Sequence, residues 1–238
     1  MSDWKAKRFW KEATVEAIDG GMTVHLDGRP VRTPAKAPLV LPTEAMARAI
    51  ATEWDAQEGE IKPETMPVTR GANAALDKVA LQFDEVAALI IEYGQTDLLC
   101  YRAAHPEVLI DLQAKAWDPL LDWASERYGA RLAVTTGMMP VPQDPRAVIG
   151  LEEAVKNCTE FTLTALSDLV GLSGSLVIGL AAMDDPTRAE ALWLASRVDE
   201  DFQISQWGED EEASETAARK RADFMAAVRF FQLSAQNA

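Results

Sequence analysis

The sequence predicts an α+β protein, a small N-terminal antiparallel β domain followed by a larger all-helical one. Three observations predict it. Residues 8–41 alternate short β-prone runs with glycine turns. Beyond Pro42, apolar residues recur at helical spacing. The charge also changes sign along the chain: residues 1–48 carry eight Lys or Arg against six Asp or Glu, and the remainder fifteen against thirty-two. Such a change suggests two modules with different surfaces. The expected domains are 1–42 and 43–238.

In the first module, Thr14, Val15, Ile18, Met22, Val24 and Leu26 supply the strand residues, and Asp19-Gly20-Gly21 and Asp27-Gly28-Arg29 are tight turns. Leu39-Val40-Leu41 reads as a further short strand. His25 is a lone strand histidine, without the convergent donors a metal needs. Thr43 caps the first helix, whose inner face is Ala47, Ile50, Ala51 and Trp54. A loop at 58–67 with two prolines leads to a helical run from Val68 through Leu76, Val79, Ala80 and Phe83. Another helix follows Asp84 and closes at Tyr93-Gly94. Residues 96–102 fit either a strand or a helix end.

A long helix is expected from about Pro106 to Tyr128, stopped by Gly129, with Leu109, Leu112, Ala116, Leu120 and Trp123 among its apolar positions. Arg131–Thr135 reads as a strand and Met138–Pro145 as a loop. One or two helices fill 145–170, Gly171–Gly174 is a break, and Ser175–Met183 is an apolar helix. Pro186 opens the next helix, in which Ala191, Leu194, Ala195, Val198 and Phe202 share the core face. A second, mixed stripe carries Trp193, Arg197, Glu200, Ile204 and Trp207. The last helix starts near Gly208, buries Ala213, Ala217, Phe224, Val228 and Phe231, and pairs Glu215 with Arg219.

The 238 residues are 48% hydrophobic and 26% charged, with a net charge of −15. So acidic a chain repels nucleic acid and anionic membranes and favours a basic partner surface. The longest apolar run, Leu169–Met183, has 15 residues, short of the roughly 20 a membrane span needs. The opening MSDWKAKRFWK has no apolar signal-peptide core, and Cys100 and Cys158 read as free thiols in a reducing compartment. A cytoplasmic monomer is expected.

Common catalytic motifs are missing. There is no GxxxxGK[ST] and no GxGxxG. Gly171-Leu172-Ser173-Gly174-Ser175 fails as a nucleophile elbow at its fifth position, and both histidines precede it. Pro106 and a five-residue spacing argue against a Cys100–His105 thiolate pair. No cofactor, catalytic residue or metal ligand is assigned.

What stands out is Ser196–Ala213, SRVDEDFQISQWGEDEEA. Asp199, Glu200 and Asp201 are successive helix residues and fan over about 200°, so they do not converge on an ion. Arg197 is placed to pair with Glu200 or Asp201. Glu209–Glu212 follow a glycine, where a helix N-terminus favours negative charge.

Taken with RFWK at Arg8–Lys11, LDGRPVRTP at Leu26–Pro34, EWDAQ at Glu53–Gln57, MPVTRGANAALD at Met66–Asp77, TDLLCYRA at Thr96–Ala103 and WDPLLDW at Trp117–Trp123, this stretch closes a longer pattern. From Arg8 to about Phe231 the chain resembles the assembly chaperones for the alpha subunit of the F-type ATP synthase, found in mitochondria and alphaproteobacteria. The resemblance implies a non-enzymatic protein. It would bind the unassembled alpha subunit until that subunit pairs with beta, without hydrolysing nucleotide. Relatives in eukaryotes would work in the mitochondrial matrix. The family's acidic motif maps to Trp207, Gly208 and the following acids, with Glu211 its nearest match. The candidate partner-binding residues are Asp201, Trp207, Glu209, Asp210, Glu211 and Glu212, with the basic N-terminal module a second contact. Gly71 stands where the family favours a bulkier apolar residue, and looser packing is expected there. A general protein-binding adaptor and a carboxylate-dependent enzyme are the alternatives. A deep pocket around a perturbed carboxylate would favour the enzyme.

Overall fold

The computed structural model describes residues 7–137 and 139–235; the first six residues and Met138 of the expected loop lie outside them. The chain divides into two compact units. The first holds the described residues through Phe83, Thr159–Ala165 and the segment from Arg229 onward; the second holds Asp84–Cys158 and Leu166–Val228.

The first unit starts with a three-stranded antiparallel sheet in the order β1 (Ala13–Ile18), β2 (Gly21–Leu26), β3 (Arg29–Pro30). The register runs from Ala13 opposite Leu26 to Ile18 opposite Gly21. Asp27 and Gly28 turn β2 into β3 with φ of 47° and 77°, the left-handed pair that a tight hairpin requires. The expected strand at Leu39–Leu41 shrinks to one bridge, Leu41 opposite Met22. Pro38 and Pro42 flank it and have no N–H with which to extend a ladder.

Helix α1 (Glu44–Asp55) opens as predicted, the Thr43 hydroxyl accepting from the Met46 N–H at 3.0 Å. It lays Met46, Ala47, Ile50 and Ala51 against Val24, Leu39 and Leu41. Trp54 meets Trp10 edge-on, 5.1 Å between ring centres. Helix α2 (Pro67–Asp77) stops before the predicted run ends. Lys78 leaves helical geometry, a 3₁₀ turn spans Val79–Leu81, and α3 (Phe83–Glu92) follows. Gly71 of α2 is not a loose spot. The Phe230 ring lies on it, and a Cβ there would come within 2.7 Å of that ring.

In the second unit, residues 96–102 form a 3₁₀ turn (Leu98–Cys100) and a two-residue strand β4 (Tyr101–Arg102). This pairs in parallel with β5 (Thr135–Thr136), all that forms of the predicted Arg131–Thr135 strand. Helix α4 (Glu107–Tyr128) ends at Gly129, left-handed at φ 67°. Its buried face is Gln113, Trp117, Leu120 and Ala124, so Leu112 is exposed instead of packed. Then come α5 (Pro145–Lys156), α6 (Glu160–Ser173), α7 (Leu176–Asp184), α8 (Ala189–Ser196), α9 (Val198–Trp207) and α10 (Glu211–Ala235). The Gly171–Gly174 break falls at Gly174 alone, φ 73°, and Ser175 caps α7 by accepting from the Ile178 N–H. Pro186 opens a 3₁₀ turn, not a helix, and the single helix expected after it is two, parted at Arg197.

Asp97 is fully buried and accepts from the N–H groups of Leu99 and Val177, each at 3.1 Å. Burial raises its pKa to about 6 despite those bonds. Burial also pushes the Cys100 thiol up to about 12, which keeps it protonated and unreactive near neutrality.

Two outcomes are expected. The folded state holds the Asp97 proton more tightly than the unfolded chain, so this group's contribution is largest below pH 3.8 and is lost as pH rises to about 6. In urea unfolding, the wild type should lose about 2 kcal/mol relative to Asp97→Asn between pH 4 and pH 7. A difference that stays flat with pH would refute this. Gly71→Ala should destabilise by about 1 kcal/mol despite alanine's better helix propensity, because the Phe230 ring must move. Adding Phe230→Leu should recover most of that loss in thermal unfolding.

Candidate functional site

The acidic stretch forms the corner where α9 gives way to α10. Two bonds from one face of α4 hold the near end of this stretch, where α8 meets α9. The Trp117 indole N–H donates to the Ala195 carbonyl at 2.7 Å, holding the end of α8. One turn earlier, the Gln113 amide donates to the Asp199 carboxylate at 2.6 Å, holding the start of α9. The other end of Gln113 accepts from the Ala103 N–H at 2.8 Å, so its carbonyl and amide are both engaged.

The three acids of the first cluster do fan apart. Asp199 turns inward to Gln113. Glu200 pairs with Arg197 at 3.1 Å, one of the two partners expected. Asp201 is exposed and has no ion pair or side-chain hydrogen bond among the described residues. Arg197 also lies over the Trp193 ring, 5.9 Å from its centre. Trp193, expected on the mixed outer stripe, is buried and packs on Phe224 instead. The break at Arg197 causes this, since it shifts the faces of α8 and α9 out of a single helical phase. Leu194, expected inside, is exposed for the same reason. Val198 and Phe202 are half-buried.

Gly208, at φ 90° and ψ 171°, ends α9. Asp210 then caps α10, its carboxylate accepting from the Ala213 N–H at 2.8 Å. Glu211 and Glu212 occupy the first turn, where the helix dipole favours them. Glu209, Glu211 and Glu212 are exposed and have no salt bridge among the described residues. Ala213, expected in the buried stripe of α10, is exposed too, and burial begins at Phe224. The pair Glu215–Arg219 forms at 3.9 Å. A second pair missed in the sequence, Arg221 with Glu190 at 2.6 Å, ties α10 to α8.

The candidate residues fall on two sides of α9. Trp207, Asp210 and Glu212 line a groove of about 600 Å³ between α9 and the start of α10, together with Ile204, Thr216 and Lys220. Trp207 is 81% exposed. Asp201 lines a different groove, of about 810 Å³, between α4 and α8–α9. Leu112, Leu194 and Phe202 line that second groove. The signal for it was the apolar residues on α4 and α8 beyond what a single core face uses. Among the described residues no group of three or more His, Cys, Asp or Glu side chains is placed to hold a metal ion.

The basic N-terminal module is partly committed to structure. The Arg8 guanidinium donates to the carbonyls of Trp10, Lys11 and Gln57 and pairs with Asp55 at 3.5 Å. Asp27 accepts from the Lys11 N–H at 3.0 Å, Asp77 from Ala35 at 2.9 Å, and Glu53 from Val68 and Thr69, each at 2.8 Å. The motifs of this unit hold one another.

Comparison with known proteins identifies the class as an assembly chaperone. The chain belongs to the ATP12 chaperone family, non-enzymatic factors for ATP synthase assembly; the family profile "ATP12 chaperone protein" matches residues 7–125. The mitochondrial protein atp12 of Schizosaccharomyces pombe is 22% identical over 221 residues, 88% of this chain and 76% of the relative. The crystal structure of Atp12 from Paracoccus denitrificans superposes with a TM-score of 0.94 at 50% identity, covering 98% of this chain and 100% of that one. An aspartate-to-lysine mutant of the Paracoccus protein gives 0.95 at the same identity. The Atu1473 protein of Agrobacterium tumefaciens gives 0.90 at 41% identity, covering 95% of this chain and 85% of that one. No helix among the described residues is long and apolar enough to cross a membrane.

Asp210→Ala should lower stability by about 1 kcal/mol, the usual cost of a lost helix cap, and Glu209→Ala by much less. Thermal unfolding of the two variants checks the assignment. Equal shifts would mean that Asp210 is not the cap.

Proposed function

We propose that this chaperone binds the unassembled alpha subunit of the F-type ATP synthase and holds it until beta takes its place, in the cytoplasm of a bacterium as in the matrix of a mitochondrion. The observation that carries this reading is the exposed Trp207, which lines a groove together with Glu212, with the exposed carboxylates Glu209 and Glu211 next along the chain. A large aromatic left 81% exposed has a strong drive to be covered. Beside it, acids without internal partners suit a client face that mixes apolar surface with Arg and Lys. A net charge of −15 steers such a client inward over a longer range. In this reading Trp207 is the anchor and the acids set orientation and encounter rate, with Asp210 chiefly a helix cap. Asp201 acts from the other side of α9. Family membership supports an ATP synthase client; the choice of alpha is what the resemblance of the sequence motifs implies, and the chemistry of this corner is compatible with it.

The test is co-purification of tagged chain with alpha subunit. Trp207→Ala should reduce capture at least tenfold, as for a buried aromatic hot spot. Glu211→Lys should weaken it and flatten its salt dependence. Both residues are exposed, so circular dichroism and melting temperature should stay near wild type. Full capture by both variants would refute the site. Capture of beta alone, or of unrelated proteins in place of alpha, would refute the client.

A further inference from the structure

Of the larger groove, on the other side of α9 from Trp207, this reading uses only Asp201. One wall is regular: Leu112, Ala116 and Leu120 recur every four residues along α4. The other is composite, Leu194 from the end of α8 and Val198 and Phe202 from α9. Leu194 is 52% exposed and Leu112 43%, although each stands at a position that normally packs. Two apolar walls with a trough between them present a surface that a third helix can fill by packing its own ridge along α4. The charge at the rim narrows the choice of helix. Lys115 and Arg188 line the groove, and neither has an ion pair or side-chain hydrogen bond among the described residues; Asp201 is the one carboxylate on the lining. A lip with two unpaired cations to one anion is unusual on a chain of net charge −15.

We infer that this groove docks an amphipathic helix of the client, one with an aliphatic stripe and carboxylates along its flank. The inference rests on the chaperone reading but assigns a second contact of opposite charge preference to the Trp207 corner. The aliphatic stripe covers Leu112 and Leu194, and its flanking acids meet Lys115 and Arg188. A client would then be gripped on both sides of α9, by a basic region at Trp207 and an acidic helix in the groove. A second copy of this chain is the poorer occupant, because two chains of −15 repel each other.

Two synthetic helical peptides test this by fluorescence anisotropy on the full chain. Both carry leucine every three or four residues; one is flanked by glutamate, the other by lysine. The glutamate peptide should bind more tightly than the lysine peptide. Leu194→Asp should weaken it about ten- to a hundredfold, the worth of one buried leucine. Lys115→Glu with Arg188→Glu should invert the preference. In alpha-subunit capture, Leu194→Asp should reduce yield while Trp207 is intact. Equal binding of the two peptides, or no effect of Leu194→Asp on either assay, overturns the inference. Concentration-dependent dimerisation abolished by Leu194→Asp overturns it in favour of a second copy. If the wild type captures no alpha subunit yet keeps the peptide preference and its loss in Leu194→Asp, the client reading fails and the groove's specificity stands. If capture stays intact without the peptide preference, the groove alone fails.

Discussion

The bond from the Trp117 indole to the Ala195 carbonyl is the interaction that anchors the junction of α8 and α9, where the acidic stretch begins. Ala195 sits at the end of an eight-residue helix, where carbonyls have no partner within the helix. A buried indole N–H needs an acceptor as much as that carbonyl needs a donor. The bond therefore satisfies two groups at once and fixes where α8 stops. With Gln113 holding Asp199 one turn earlier on α4, the chain is anchored on both sides of the Arg197 break. Those anchors decide which residues of the acidic stretch turn inward and which remain outside. Arg102 adds to this anchor, lying over the Trp117 ring and pairing with Asp118 at 2.7 Å.

Carboxylates do two kinds of work here. Inside each unit they act as acceptors for backbone N–H groups in irregular segments. Asp27, Glu53 and Asp77 do this in the first unit, Asp97 in the second. For Asp97 this is essential, because its bonds are buried and folded proteins rarely tolerate an unsatisfied buried donor. At the surface, Glu209, Glu211 and Glu212 have no such duty. The family motifs mostly belong to the first kind. The resemblance that identifies the protein is carried chiefly by residues that build it, and the residues free to meet a partner are few.

Much of the fold was legible because its signals are local. Thr43 and Gly129 mark helix ends by hydroxyl capping and by tolerance of positive φ, and both act where expected. The hairpin at Asp27-Gly28 is equally local. The errors over which residues are buried are errors of phase. On α4, apolar spacing favours Leu112, yet Gln113 is buried because it bridges Ala103 and Asp199. On α8 and α9, a uniform period joins what Arg197 separates, which exchanges the positions of Leu194 and Trp193. A polar residue buried for its hydrogen bonds leaves no mark in hydrophobic periodicity, and neither does a one-residue interruption between two helices.

The sequence by itself determined the α+β class, most helix ends, the family and the acidic corner after Gly208, because each rests on short-range chemistry or on ordered motifs. Only the tertiary structure decided how that corner is divided. It made Asp210 a cap, turned Asp199 inward, and set Asp201 on a different groove from Trp207. It also placed the Phe230 ring on Gly71, so that an apparent gap is filled from more than 150 residues away. Such pairings depend on which helix faces meet, and a one-dimensional pattern does not carry that information.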